Sequence, residues 1–459
     1  MSRKLNKREF FKYSLGGGSL ILTGGLASCS GFAGSNEAQS LFAHPWWVEE
    51  VEEPLLAVDD GVYKRFESKN NVFGSFAKYV GPTRLMDLRR IRKERTEQYF
   101  AENRPGFRIE DRALAAASWT VSRTGGLNKG LRSWNSQSMR TPRQQMERKY
   151  KGSPQKAAHV IKQAARYFGA ATVGIALLDR RHINAREFFQ RHEVDIVFED
   201  AEKPYAVEGE KLVIPEKCKY AISLSIQMSL DCIKTSPSAI GGAGAALGYS
   251  RAEFLVGSLA EFIRGLGYTA IPSVNDLGSS VAIAVDAGLG ELGRTNRLIT
   301  PEYGPNVRLA KVLTDLPMST DKPIKFGLLE FCKACKRCAE ACPSKALSFK
   351  DEPDFEVRGP WNNPGHQAWF EDAPKCLAYW SESTVGCSVC LAACPWAKKD
   401  KTMVHSMVKA ASAKMPFLDS VFTSLDKAFG YGERRDSEKW WHLDLPEYGI
   451  DTSQGRKKI

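Results

Sequence analysis

The sequence predicts an α+β core carrying a ferredoxin-like, cysteine-rich unit in its C-terminal third. Three observations carry that reading. Helical and strand periods follow one another through the middle of the chain, as in "GSPQKAAHVIKQAARYFGAATVGIALLD" (152–179). "YAISLSIQMS" (220–229) alternates, with Ile222, Leu224, Ile226 and Met228 on one face, the pattern of a half-buried strand. Eight of the eleven cysteines fall between positions 332 and 394 of a 459-residue chain. A chain that long can bury a core without disulfide staples, so clustered thiols point to metal.

Residues 1–33 read as an export signal. The first twelve residues hold five cations, Arg3, Lys4, Lys7, Arg8 and Lys12, against Glu9, and 13–36 carry no charge. Cations, then a short apolar stretch, then small residues is the order of a signal peptide. Gly16–Gly18, Gly24 and Gly25 interrupt the apolar stretch, which falls short of the roughly 20 apolar residues of a spanning helix. The segment resembles a twin-arginine signal, with Arg8, Phe10 and Lys12 in place and Lys7 where the first arginine is expected. That resemblance implies export of a folded, cofactor-loaded protein to the outer face of the cytoplasmic membrane, with peripheral attachment. Two endings stay open: cleavage after Ala33, or lipidation of Cys29 in "LASC". Folding before export takes place in a reducing compartment, so Cys218 and Cys232 are expected as two part-buried thiols rather than a disulfide. The net charge is +12, and the N-terminal address accounts for part of it, which weakens a nucleic-acid reading.

Residues 34–150 form an N-terminal unit rich in Arg and aromatics. "RLMDLRRIRKER" (84–95) reads as the solvated face of a helix with Leu85, Leu88 and Ile91 as its apolar stripe. A helix stopped by Gly169 and then a strand follow, with His159 a packed or surface residue rather than a ligand. "AIGGAGAALGYS" (239–250) has Gly242-x-Gly244, but Leu247 stands where a dinucleotide fingerprint has its third glycine. These small residues let backbone approach a large flat ligand or pack closely. An amphipathic helix (251–267) and strands in "YTAIPSV" and "VRLAKVLTDLP" complete the core.

The cysteines form two motifs. "FCKACKRCAEACP" (331–343) gives Cys332, Cys335, Cys338 and Cys342; Cys376, Cys387, Cys390 and Cys394 precede Pro395. Tight x2 spacing lets consecutive thiolates grip one cluster, while the cysteine before proline reaches the other. This predicts one [4Fe–4S] cluster on Cys332, Cys335, Cys338 and Cys394, and a second on Cys342, Cys376, Cys387 and Cys390. Structural zinc favours separated pairs closed by four ligands and fits this pattern less well.

Together with these motifs, "IRGLGYTAIPSVNDLG" (263–278) and "AGLGELGRTNRLITPEYGPNVRLAKVLTDLP" (287–317) resemble a corrinoid-dependent reductive dehalogenase. The resemblance implies a nitroreductase-like cobalamin-binding domain (151–322), a bacterial ferredoxin-like unit with two [4Fe–4S] clusters (323–400), and a C-terminal segment (401–459) closing over the core. "FGYG" (429–432) and "KWWHLDLP" (439–446) are the stretches expected over a base-off corrinoid. It also implies Tyr249 as proton donor, Arg308 as the cation beside it, and Asn275 as a polar residue of the same corrinoid-side pocket. A guanidinium beside a phenol, whose ordinary pKa is about 10, favours its ionised form and helps it deliver a proton. Trp380 is a candidate wall of an apolar substrate pocket. The implied partners are an organohalide, a respiratory electron donor and a small membrane-anchor subunit, with no nucleic acid. Two rivals are an epoxyqueuosine reductase-like enzyme acting on tRNA, which the export signal opposes, and a non-catalytic iron–sulfur carrier, which would hold no cobalt.

Overall fold

The computed structural model describes residues 44–135, 148–189, 192–398 and 403–450. The export signal, with Cys29 and Ala33, lies outside the described residues. At the centre is a four-stranded sheet in the order Thr172–Leu177, Tyr220–Gln227, Val307–Thr314, Ala270–Ser273, each neighbour antiparallel. Ile222, Leu224 and Ile226 face a helical layer built from Pro154–Tyr167 and Ala239–Gly265. Ala221, Ile271 and Leu313 face the other way, against a second sheet. That sheet runs Arg186–Phe189, His192–Glu199, Lys211–Pro215, Tyr205–Val207, with its middle pair parallel. Strand Tyr220–Gln227 is therefore covered on both faces, and even Ser223 and Ser225 are buried. The expected half-buried strand is corrected by its central place between two layers, where hydroxyls stand in for apolar side chains.

The helix before the sheet starts as its sequence dictates. Ser153 accepts from Lys156 N at 3.3 Å, Pro154 fills the first turn, and Gly169 at φ +102° ends it. The glycine-rich run and the predicted helix after it are one element, Ala239–Gly265, capped by Ser238, which accepts from Gly241 N at 3.0 Å. It is buried on most of its faces rather than amphipathic. Its glycines serve close packing: a Cβ on Gly244 would stand 2.7 Å from Cys232 Cβ. Tertiary packing outweighs the roughly 1 kcal/mol each glycine costs a helix.

The N-terminal stretch is stitched to the rest. Strand Glu49–Glu50 pairs with Ile324–Lys325. The basic run forms helix Pro82–Ala101, with Leu88 buried and Arg84 paired to Glu382 at 2.5 Å. Cys218 and Cys232 are both buried, and His159 is exposed. The C-terminal segment packs on the core. Trp440 packs with Cys232 and Ile240, and Trp441 donates to Asp111 Oδ1 at 2.8 Å, so "KWWHLDLP" covers the start of the long helix. Tyr431 lies beside the cysteine-rich unit, its ring 4.4 Å from Lys398 Nζ. Among the described residues, none beyond Ala373 lines the large cleft described below.

Candidate active site

Arg308 stands near the start of strand Val307–Thr314, opposite Ile226. Tyr249 projects from the long helix, and Asn275 sits in the turn that leaves strand Ala270–Ser273. The fold brings all three together. Asn275 Nδ2 donates to the Tyr249 hydroxyl at 2.8 Å, and the Arg308 guanidinium lies over the Tyr249 ring, 4.5 Å from its centroid. Gly248 makes this approach possible, since a Cβ there would stand 3.0 Å from Arg308 Cγ and 3.1 Å from Met228 Cγ. Trp119, which sequence reasoning missed, stacks on Tyr249 at 5.3 Å and 19°. A lone tryptophan between two short helices gives no local signal of that role.

Trp380 packs on Phe73, with ring centroids 5.7 Å apart. Phe73 itself lines the cleft that opens beside Asn275. This cleft has about 1800 Å³ of empty space, part of it open to solvent. Its walls are apolar at Leu55, Val58, Val281, Val285 and Leu292, and carry neutral amides at Asn184, Asn296, Asn362, Asn363 and Gln367. His182 and His366 also reach it. Both His182 ring nitrogens are engaged, Nδ1 with Tyr63 OH at 2.9 Å and Nε2 with Asp286 Oδ2 at 2.8 Å. His366 Nδ1 is buried without a partner, and burial, with His182 nearby, pushes its pKa down to about 4, so the ring is neutral at pH 7.

Leu329, Glu371 and Ala373 of the cleft wall lie next in sequence to the cysteine-rich unit, Leu329 and Ala373 three residues from Cys332 and Cys376. Short helices Leu328–Ala334, Arg337–Ala341 and Val389–Ala393 end respectively at Cys335, Cys342 and Cys394, each in extended conformation. Pro343 and Pro395 cannot continue a helix and push the preceding cysteine out of the helical region. The thiols pack in two neighbouring sets, Cys332, Cys335 and Cys394 in one and Cys342, Cys376 and Cys390 in the other. Cys387 lies beside Cys376 and Cys342, and Cys338 faces both sets, near Cys332, Cys335, Cys390 and Cys394. Among the described residues, no three His, Cys, Asp or Glu groups converge tightly enough for a single metal ion, as zinc with sulfur at about 2.3 Å would need. Burial pushes the Cys332, Cys376, Cys387 and Cys390 thiols up to about 12, so any metal must displace their protons. Arg294, fully buried, donates to Cys332 O at 3.0 and 2.6 Å and to the Ser348 and Lys350 carbonyls.

A unit of eight clustered cysteines beside a cleft with apolar walls is the arrangement of an iron–sulfur protein. Comparison with known proteins is specific. Residues 331–397 match the 4Fe-4S double cluster binding domain, and residues 188–318 match the reductive dehalogenase subunit family. A tetrachloroethene reductive dehalogenase of Sulfurospirillum multivorans is 32% identical over 489 aligned positions, spanning 99% of this chain and 97% of that relative. One of Dehalococcoides mccartyi (strain ATCC BAA-2266 / KCTC 15142 / 195), a trichloroethene reductive dehalogenase, is 26% identical over 91% of this chain and 89% of its own length. A solved structure of a tagged catabolic reductive dehalogenase superposes with a TM-score of 0.63 at 23% identity, over 87% of this chain and 51% of that one. This chain belongs to the reductive dehalogenase family. It is an oxidoreductase that replaces carbon-bound halogen by hydrogen and carries a double [4Fe–4S] unit. An epoxyqueuosine reductase of Lactococcus garvieae (strain Lg2) matches only 30% of this chain, so the tRNA reading has much the smaller support.

Proposed function

We propose that the cleft holds a corrinoid beside the Tyr249–Asn275–Arg308 group, and that Tyr249 gives the proton of the dehalogenation. The observation that carries this is the hydrogen bond from Asn275, a residue of the cleft wall, to the Tyr249 hydroxyl under the Arg308 cation. The cleft suits the cofactor chemically. A corrin is a broad apolar macrocycle rimmed by neutral amides, and the cleft offers apolar walls, a set of Asn and Gln side chains and an unpartnered buried His366 nitrogen. When bound, the corrinoid supplies cobalt that passes electrons to the organohalide. Cys332, Cys335, Cys338 and Cys394 would hold one cluster, and Cys342, Cys376, Cys387 and Cys390 the other.

Replacing C–X by C–H takes two electrons and one proton and releases halide. Asn275 donates to the Tyr249 oxygen, which leaves the phenolic hydrogen directed away from the amide. Tyr249 transfers that hydrogen to the carbon as negative charge develops there, and Arg308 stabilises the phenolate left behind. Trp119, stacked on Tyr249, excludes water from one side of the ring. Export by the twin-arginine route, peripheral attachment at the outer face of the cytoplasmic membrane, a small anchor subunit and a respiratory donor belong to the same proposal; the N-terminal cations, apolar stretch and small residues support it. In the test, Tyr249→Phe loses turnover in a halide-release assay with a reduced viologen while cobalt and iron contents stay unchanged. Full turnover in that variant removes Tyr249 as donor.

A further inference from the structure

Lys311 lies on strand Val307–Thr314, facing Ser273 across one ladder and Ser223 across the other. Its side chain is completely buried, at a position in phase with Leu309 and Leu313. An apolar residue would be the cheaper occupant there, because a buried ammonium loses its hydration. Among the described residues it makes no ion pair; it donates to Asp276 O at 2.8 Å, Val274 O at 3.3 Å and Ser280 Oγ at 2.9 Å. The two carbonyls are those on either side of Asn275.

The turn these bonds hold is strained and tied in further. Leu277 sits at φ +68°. Asp276 Oδ1 accepts from Ser273 Oγ at 2.9 Å and from Val274 N at 3.2 Å, and Oδ2 pairs with Arg132. Arg132 in turn pairs with Glu253 at 3.1 Å. Glu253 is one helical turn beyond Tyr249, on the same face of the long helix. A buried chain of charge therefore joins the turn carrying Asn275 to the helix carrying Tyr249.

We propose that Lys311 is a positioning residue for the reaction: its ammonium clamps the backbone on both sides of Asn275 and sets the distance between the Asn275 amide and the Tyr249 hydroxyl. Burial lowers the Lys311 pKa to about 8, with Asp276 and Glu187 opposing the fall and Arg132 adding to it, so the clamp is mostly charged at neutral pH. The inference rests on Tyr249 and Asn275 acting in catalysis as proposed above.

The test is a double-mutant cycle on the cofactor-loaded enzyme. Lys311→Met lowers kcat roughly tenfold or more, because misplacing a reacting group by about 1 Å has effects of that size, while KM changes little. In an Asn275→Ala background the same substitution changes kcat by less than about twofold, since the group it positions is gone. A crystal structure of Lys311→Met shows Asn275 Nδ2 out of hydrogen-bonding range of Tyr249. Equal losses in both backgrounds, or an unmoved Asn275, overturn the proposal. Should Lys311→Met not accumulate, Ser280→Ala removes one bond of the clamp, and a smaller loss that vanishes with Asn275→Ala is then expected, additivity again overturning it. An active Tyr249→Phe enzyme would sink the site reading itself, whereas an inactive one with additive Lys311 effects would sink this inference alone.

Discussion

The Tyr249 hydroxyl accepts a hydrogen bond from Asn275 on one side, while a guanidinium lies 4.5 Å from the ring centroid. In the proposed mechanism the two neighbours do different work. Asn275 is neutral and directional, so it orients the phenol; Arg308 is charged and lies over the ring, so its effect grows as the oxygen becomes an anion. Removing the cation should therefore cost more at the transition state than removing the amide. Arg308→Met is expected to lower kcat by about 10²–10³-fold, the size found when one electrostatic stabiliser is lost, with KM little changed. Arg308→Lys keeps the charge but not the flat guanidinium above the ring, and should fall between wild type and Arg308→Met. Steady-state halide release from the three enzymes at matched cofactor content checks the order, and equal kcat values for Arg308→Met and wild type would deny the cation any part.

The long helix Ala239–Gly265 shows how far elements could be anticipated. Helix 154–167, strand 172–177 and the strand ending in Thr314 were legible because period, cap and glycine stop agree locally. The glycine run was not, because its helical state is imposed by the segments packed on it. The same holds at the site. The double-cluster unit was legible from cysteine spacing, whereas Tyr249, Asn275 and Arg308, named only through the family resemblance, are ordinary residues whose meeting, between positions 26 residues apart for the hydrogen-bonded pair, is a property of the fold. Lys311 did leave a trace, a cation in phase with leucines, and Trp119 left none. The packing role of the glycines can be tested residue by residue. A Cβ at Gly242 meets nothing within 4 Å, while one at Gly244 would press on Cys232 Cβ at 2.7 Å. Gly242→Ala should be neutral or raise stability by about 0.5–1 kcal/mol through helix propensity. Gly244→Ala should lower it by about 1–3 kcal/mol through overpacking. Thermal unfolding of both variants gives the answer, and an unaffected Gly244→Ala would show that the helix contact is looser than described.

Across the whole molecule, the two cysteine motifs are separated in sequence yet interlocked. Each ends in Cys-Pro, and each terminal cysteine is turned away from its own short helix by the proline that follows. Cys394 packs with Cys332 and Cys335 of the first motif and Cys376 and Cys390 pack with Cys342, while Cys338 and Cys394 both also lie near Cys390, where the two sets meet. The two clusters would thus cross-link residues 332–342 to 376–394 twice, holding the segment between them, and the Glu371 and Ala373 that line the cleft, at a fixed place. A local arrangement, with one cluster per motif, would leave that wall untied. The two arrangements differ in which substitutions resemble one another. Under the crossed assignment, Cys394→Ser and Cys332→Ser both remove the same cluster, and Cys342→Ser and Cys387→Ser both remove the other. Each variant should retain about four of about eight irons. The residual paramagnetic resonance spectrum of reduced Cys394→Ser should match that of Cys332→Ser and differ from that of Cys387→Ser. If Cys394→Ser instead pairs with Cys387→Ser, each motif keeps its own cluster, and the cleft wall owes its position to something other than shared iron.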